Sequence, residues 1–322
     1  MRIGILTGGG DAPGLNGVIR ALTKKLLASR VEVVGVQDGF EGLLHRRSRP
    51  LGPDDVSGIL ARGGTILGTA NRGDSTRRMA ECMETYRAWK LDGLVTIGGD
   101  GTLQIAHRFS KRGARVIGIP KTIDNDVAAT DITFGFDSAV SIAARSLEGL
   151  HFTADAHGRI MVVELMGRTA GWIALHAGIA GGADVILIPE IPHHLGRVAD
   201  YIRDRHQRRR FTIVAVAEGA ASANQVGREL EKRTGIESRV MILGHLQRAG
   251  SPTPFDRVLA TRYGYAAAEL VLARRWGRMT ALRLGEMTSV PLSTVAGKVR
   301  RVPRNHELVR VALGIGTTFG QP

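Results

Sequence analysis

The stretch LVTIGGDGTLQIAHRFSKR, Leu94–Arg112, decides the fold. It opens with an apolar β-type run, Leu94–Ile97, turns through Gly98-Gly99-Asp100-Gly101-Thr102, and continues as an amphipathic helical pattern, Thr102–Arg112. The same strand, polar turn and helix recur along the chain. Further strand candidates are Ile3–Thr7, Val31–Val36, Val116–Ile119, Ile160–Leu165, Val185–Ile188, Thr212–Ala217 and Arg239–Leu243. Between them lie the amphipathic stretches Leu15–Ala28, Ser75–Trp89, Ser138–Leu150 and Thr169–Ala180. Near-continuous apolar strands alternating with helices indicate an α/β fold whose mainly parallel sheets are covered on both faces. There is no internal repeat and no low-complexity linker, so composition alone marks no domain boundary.

A length of 322 residues allows two domains or one large one. The single cysteine, Cys82, excludes an internal disulfide and suits helix packing in a reducing compartment. The first residues, MRIGILTGGGD, carry no signal-peptide pattern, and no apolar run of about 18 residues is present. No membrane association is expected, and a cytoplasmic setting is. The net charge of +14 attracts anions, and with only 7 lysines among 44 basic residues the excess is arginine. The arginines are dispersed, with one dense run at Arg208-Arg209-Arg210 and no aromatic interleaving, so phosphorylated metabolites are expected as partners rather than nucleic acid.

In open α/β sheets, ligands gather beyond the carboxyl ends of the strands. Polar clusters stand at those places: Gly8-Gly9-Gly10-Asp11, Gly98-Gly99-Asp100-Gly101-Thr102, Pro120-Lys121-Thr122-Ile123-Asp124-Asn125-Asp126 and Met166-Gly167-Arg168. The first can cradle a phosphate on backbone N–H groups ahead of a helix, although a plain tight turn would look the same. In the second, Gly98 and Gly99 allow close backbone approach of a polyphosphate, and Gly101 leaves space for the rest of a nucleotide. Asp100 supplies a hard oxygen for magnesium, and Thr102 can cap the helix. In the third, an extended backbone would point Asp124 and Asp126 to one face. One could then take a proton from an attacking hydroxyl while its neighbour orients it or holds metal. Lys121 would offset their repulsion and stabilise a transferring phosphoryl group. Arginine forks at Arg168, Arg239 and Arg248, with His245, suit a sugar phosphate, and Glu218 can accept sugar hydroxyls.

With these residues in place the sequence closely resembles the 6-phosphofructokinase family. The resemblance runs through GGGDAPGLN (8–16), RGGTILGT (62–69), IGGDGT (97–102), PKTIDND (120–126), VELMGRTAGWIALHAGIAGGA (163–183), PE (189–190), VAEGA (216–220) and LGHLQRAGSPTPFDRVLATR (243–262). It implies two similar three-layer α/β/α domains. Residues 1–134 with 249–298 would take ATP and magnesium, and residues 135–248 with 299–322 the sugar phosphate. It implies transfer of the γ-phosphoryl of ATP to the 1-hydroxyl of fructose 6-phosphate, and a homotetramer, or at least a dimer, with active sites shared between subunits. Position by position, Asp124 resembles the general base and Asp126 its support near the metal. Asp100 resembles the magnesium-associated aspartate, and Gly10, Gly101 and Thr102 the donor site. Thr122, Met166, Gly167, Arg168, Glu218, His245 and Arg248 resemble sugar-phosphate contacts. Arg159 and Arg239 resemble arginines that reach the substrate from a neighbouring subunit.

Three departures from the family pattern bear on function. Gly101 goes with ATP, since an aspartate there would crowd the α-phosphate, whereas Lys121 is the residue that pyrophosphate users tend to have. The mixed pattern resembles ATP-using actinobacterial members, with pyrophosphate as the alternative donor. Gly68-Thr69-Ala70 is followed by Asn71 and then Arg72, so either Arg72 shifts into the phosphate-bridging role or Lys121 takes it. Of the effector site known in bacterial relatives, Arg20, Lys24, Glu190 and Arg208–Arg210 could remain, but Pro53 and Asp54 stand where an arginine and an aromatic are expected. A solvated basic face is the simpler reading. NAD and lipid kinases share a GGDGT-type loop but lack the set spanning residues 159–248. A catalytically silent anion-binding protein would not need Asp124.

Overall fold

The computed structural model describes residues 1–70 and 73–321. In chain order the strands and helices are β1 (Arg2–Thr7), α1 (Leu15–Ala28), β2 (Glu32–Val36), α2 (Phe40–Leu44), β3 (Ser48–Pro50), α3 (Met79–Ala88), β4 (Gly93–Gly98), α4 (Asp100–Lys111) and β5 (Val116–Pro120). There follow α5 (Phe136–His157), β6 (Ile160–Leu165), α6 (Trp172–Ala180), β7 (Val185–Leu187), α7 (Leu195–His206), β8 (Thr212–Ala217), α8 (Ala223–Thr234) and β9 (Ser238–Ile242). The chain closes with α9 (Pro254–Leu272), β10 (Arg278–Arg283), β11 (Glu286–Pro291) and α10 (Glu307–Gly314). It divides into two compact units. The first is Met1–Thr122, Asp126–Ser138 and Arg248–Arg300, and the second is Ile123–Asn125, Ala139–Gln247 and Arg301–Pro322.

The first unit holds a seven-stranded sheet in the order β11-β10-β5-β4-β1-β2-β3. Strands β2, β1, β4, β5 and β10 run parallel, and β3 and β11 are antiparallel at the two edges. Side chains alternate across the pleat, so each central strand feeds two cores. Ile3, Ile5, Val95, Ile97, Ile117 and Ile119 pack with α1 and α9 on one face. Leu6, Val34, Val36, Leu94 and Val116 pack with α2, α3 and α4 on the other. The second unit is a smaller, wholly parallel sheet of four strands, β7-β8-β6-β9. Helices α7 and α8 cover one face, and α6 lies against β7 and β8. Both units are α/β, as the alternation indicates, but their sheets differ in size and in strand direction.

Each apolar run read from the sequence forms a strand, with ends displaced by no more than one residue. The strands not anticipated are β3, β10 and β11. The short β3 ends in Pro50, which lacks an N–H for a further ladder bond. Strands β10 and β11 form a hairpin through Leu284 and Gly285, both with positive φ (50° and 82°). That turn geometry favours Asn-Gly or Asp-Gly, so an exposed leucine in its first position hides the signal.

Helix α9 begins with local capping. The Thr253 hydroxyl accepts a hydrogen bond from the Asp256 amide at 3.2 Å, and Pro254 occupies the first turn, where no N–H is needed. Asp256 is fully buried, and its Oδ2 accepts from the Ser138 amide (2.8 Å) and hydroxyl (2.6 Å), tying α9 to the start of α5. Burial pushes the carboxyl up from 3.8 to about 6, against the opposing effect of the Ser138 hydrogen bonds. Between pH about 4 and 6 the folded chain therefore keeps a proton that the unfolded chain has lost, and this group's contribution to stability falls as pH rises through that window. Urea denaturation of wild type and Asp256→Asn from pH 4 to 7 should show the variant gaining relative stability up to about pH 6 and holding level above it. A stability difference independent of pH would contradict the assignment.

Candidate active site

In the first unit the strand order reverses between β1 and β4: the chain proceeds outward from β1 to β2 on one side and from β4 to β5 on the other. Such a switch point leaves a crevice at the strands' carboxyl ends. The loops after β1, β4 and β5 meet there. The Gly8 amide donates to the Ile97 carbonyl (2.9 Å), and the Lys121 amide to that of Gly98 (3.0 Å). The buried Lys121 ammonium reaches back to donate to the Gly10 carbonyl. From the segment before α9, the Arg248 guanidinium donates through Nη1 to the Asp11 carbonyl at 2.7 Å. A Cβ on Gly10 would stand 2.8 Å from that nitrogen, so the glycine makes room for the arginine. Two cations are thus held against the backbone of the Gly8–Asp11 loop.

Within Gly98-Gly99-Asp100-Gly101-Thr102 the residues have different duties. The cap of α4 is Gly99, and Asp100 opens the helix, where a carboxylate is favoured by the dipole. Thr102 does not cap the helix, contrary to expectation. It lies in the first turn, and its buried side chain fills the space left by the missing side chains of Gly8 and Gly98. Those two glycines are therefore explained by packing. Gly101 is not, since a Cβ there meets nothing within 4 Å, which leaves open space beside Asp100. Among the described residues no group of three or more His, Cys, Asp or Glu could hold a metal. A single carboxylate beside a phosphate loop fits magnesium that is ligated mainly by phosphate oxygens and water. Arg72 lies outside the described residues.

The segment Pro120–Asp126 is buried, with Asp124 6% and Asp126 2% exposed. The extended conformation expected for it is not what forms. Ile123 and Asp124 make a turn, and Asn125 has φ 52°, in the left-handed region, where a short polar side chain is tolerated. Strand alternation therefore does not describe how Asp124 and Asp126 are oriented. The Thr122 carbonyl accepts from the Thr133 hydroxyl (2.8 Å), and that of Asp126 from the Arg300 amide (2.7 Å).

In the second unit the carboxyl ends of adjacent β8, β6 and β9 bring Glu218, Met166-Gly167-Arg168 and the turn carrying His245 and Gln247 to one edge. Oε1 of Glu218 accepts from the Gly167 amide (3.2 Å) and the Arg168 amide (2.7 Å). This holds Arg168 at φ 56°, with its side chain exposed. Gln247, fully buried, accepts from the Met166 amide (3.3 Å) and donates to the Gly244 carbonyl (3.2 Å), joining two of these loops. Sequence reading did not single it out, because a glutamine next to arginine and histidine carries no spacing signal. His245 is exposed. Arg159 and Arg239 do not join this edge. They stand at the amino ends of β6 and β9, roughly 17–23 Å away at about 3.3 Å per strand residue. Both pair with Glu237, Arg159 at 2.5 Å, and the two guanidinium groups hold that carboxyl below its usual range.

Beside Gly8, Gly9 and Thr102 is a small niche of about 70 Å³ whose acidic wall, Glu41, was also missed. Burial raises the Glu41 carboxyl, but hydrogen bonds from Ser75, its amide at 2.8 Å, outweigh that and lower it. Glu190, one of the residues considered for an effector site, is buried. It accepts from the Gly171 amide (3.0 Å) and the Val302 amide (2.9 Å). In the basic run considered with it, Arg209 stacks 4.6 Å over Phe211.

Residues 2–271 match the model of a family described as Phosphofructokinase. An ATP-dependent 6-phosphofructokinase of Chloroflexus aurantiacus is 50% identical, covering 99% of this chain and 98% of its own. A pyrophosphate–fructose 6-phosphate 1-phosphotransferase of Amycolatopsis methanolica is 46% identical, with 94% and 96% covered. The solved phosphofructokinase of Saccharomyces cerevisiae superposes with a TM-score of 0.83 at 33% identity, over 91% of this chain and 45% of that one. From this match over residues 2–271 and its near-complete overlap with relatives so named, the chain belongs to the phosphofructokinase family.

Proposed function

We propose that this protein transfers the γ-phosphoryl group of ATP to the 1-hydroxyl of fructose 6-phosphate, giving fructose 1,6-bisphosphate and ADP, the committed phosphorylation of glycolysis. The observation that carries the reading is the meeting of three loops, Gly8–Asp11, Gly98–Thr102 and the start of Pro120–Asp126, at the switch point of one parallel sheet, with Lys121 and Arg248 fixed on the first. The first unit takes the donor. Gly10, Gly99, Gly101 and Thr102 form its cradle, and the open space at Gly101 suits an α-phosphate. Asp100 would hold magnesium, which supplies neutralisation of polyphosphate charge when bound.

The second unit takes the sugar phosphate. Arg168 offers its guanidinium fork, Glu218 fixes the Met166-Gly167-Arg168 turn, and His245 stands on the neighbouring loop. Asp124 accepts the proton of the 1-hydroxyl as that oxygen bonds to the γ-phosphorus. The bond from the γ-phosphorus to the bridging β-phosphate oxygen breaks, and ADP leaves with the electron pair. Thr122, Lys121 and Asp126 lie within a few residues of Asp124, so donor and acceptor groups share one short buried segment. Arg159 and Arg239, far from this edge in their own chain, serve the substrate of a neighbouring subunit in a homotetramer or dimer. The setting is cytoplasmic. Among the described residues no helix is long and apolar enough to cross a membrane.

Pyrophosphate is the second reading for the donor. Lys121, buried against the glycine loop, and the pyrophosphate-using relative at 46% identity favour it. Initial rates with ATP and with pyrophosphate separate the two. Turnover with ATP is expected, and efficient turnover with pyrophosphate alone would reverse the assignment.

Asp124→Ala should lower kcat by about 10²-fold to 10⁴-fold while leaving fructose 6-phosphate affinity within about threefold, by calorimetry. Equal loss of both would make the residue structural. Gly101→Asp has room to fold, and it should cut kcat/KM for ATP by at least about tenfold without changing sugar-phosphate affinity. ATP kinetics unchanged in that variant would refute the crowding argument.

A further inference from the structure

The first unit contains a second cleft that the proposed reaction does not use. It lies between α9 and the β10–β11 hairpin, with a volume of about 680 Å³. Arg278 opens β10 and Met287 pairs with Leu282 near its other end, so the cleft runs along the hairpin, away from the glycine loops in the chain. Arg262, Arg275 and Arg278 line it, with Tyr265, Leu270 and Met287 supplying apolar surface.

The charge of this cleft is unbalanced. Arg262 donates through Nη2 to the Gly285 carbonyl at 2.6 Å. Arg278 donates to the Ser289 hydroxyl (2.8 Å) and carbonyl (2.5 Å). These neutral acceptors hold the guanidinium groups in place and leave their charge intact. Among the described residues, none of the three arginines has an ion pair. The carboxylate in the lining, Glu269, is engaged by Lys25 at 2.9 Å. The Lys25 ammonium also sits 5.0 Å from the centre of the half-exposed Tyr265 ring, covering one face.

We propose that this cleft binds an aromatic phosphate, a planar ring carrying a phosphate group. The volume is that of a small-molecule site. Fixed guanidinium forks match the several oxygens of a phosphate dianion better than a single-point anion. The apolar wall and the tyrosine ring suit a planar body, stacked or edge-on. Anion and ring are thus recognised by different residues, and separate substitutions can test them.

The test is calorimetry on the full chain with phenyl phosphate, inorganic phosphate and benzyl alcohol as probes. Phenyl phosphate should bind more tightly than either fragment, and added salt should weaken it. Arg275→Ala, at an exposed position, should weaken phenyl phosphate about fivefold to tenfold, the effect of losing one hydrogen bond to a charged group. Tyr265→Ala should weaken phenyl phosphate and leave inorganic phosphate unchanged. Phenyl phosphate binding no tighter than inorganic phosphate overturns the proposal, as does an affinity unmoved in both variants.

Discussion

The parallel pairing of β1, β4 and β5 is the constraint on which the meeting of the glycine loops with Lys121 depends. Because the three strands run in one direction and in register, Thr7 beside Ile97 and Gly98 beside Pro120, their outgoing loops leave the sheet at one edge. Residues more than a hundred positions apart, such as Gly10 and Lys121, then come within hydrogen-bond reach. A shift of one residue in any of these registers would exchange the two apolar faces of that strand and separate the loops, so the cores on both sides of the sheet enforce the site geometry.

The second unit repeats the principle with other residues. Adjacent β8, β6 and β9 send their carboxyl ends to one edge, and the fixing is done by an anion and an amide rather than by cations. Glu218 collects two backbone N–H groups, and Gln247 bridges two loops. Arg168 is thereby kept in a left-handed conformation that a long side chain rarely adopts, at an exposed position. Strain of this kind persists only where surrounding hydrogen bonds over-determine the backbone.

Burial separates the two sets of charged groups. Lys121, Asp124 and Asp126 are nearly inaccessible, where interactions between charges are strong, whereas Arg168, Glu218 and His245 are exposed. That division suits a reaction in which proton and phosphoryl transfer need a dry, preorganised setting and a sugar phosphate must still enter from solvent.

The sequence by itself determined the α/β class, each central strand and the polar strand ends, because apolar period and glycine turns are local properties. It also carried the family, through motifs spread over most of the chain. The duties within the motifs were decided only by tertiary structure. Gly8 and Gly98, read as glycines that let a phosphate approach, also make room for the side chain of Thr102, which was read as a cap and lies in the first turn of the helix instead. Asp124 and Asp126 looked like neighbours on a strand, yet a turn with Asn125 in the left-handed region lies between them. The β10–β11 hairpin was hidden behind Leu284, and the pairing of Arg159 and Arg239 with one glutamate gave no signal in their spacing. In each case the deciding contact joins residues distant in the chain or depends on a backbone angle that residue type alone does not fix.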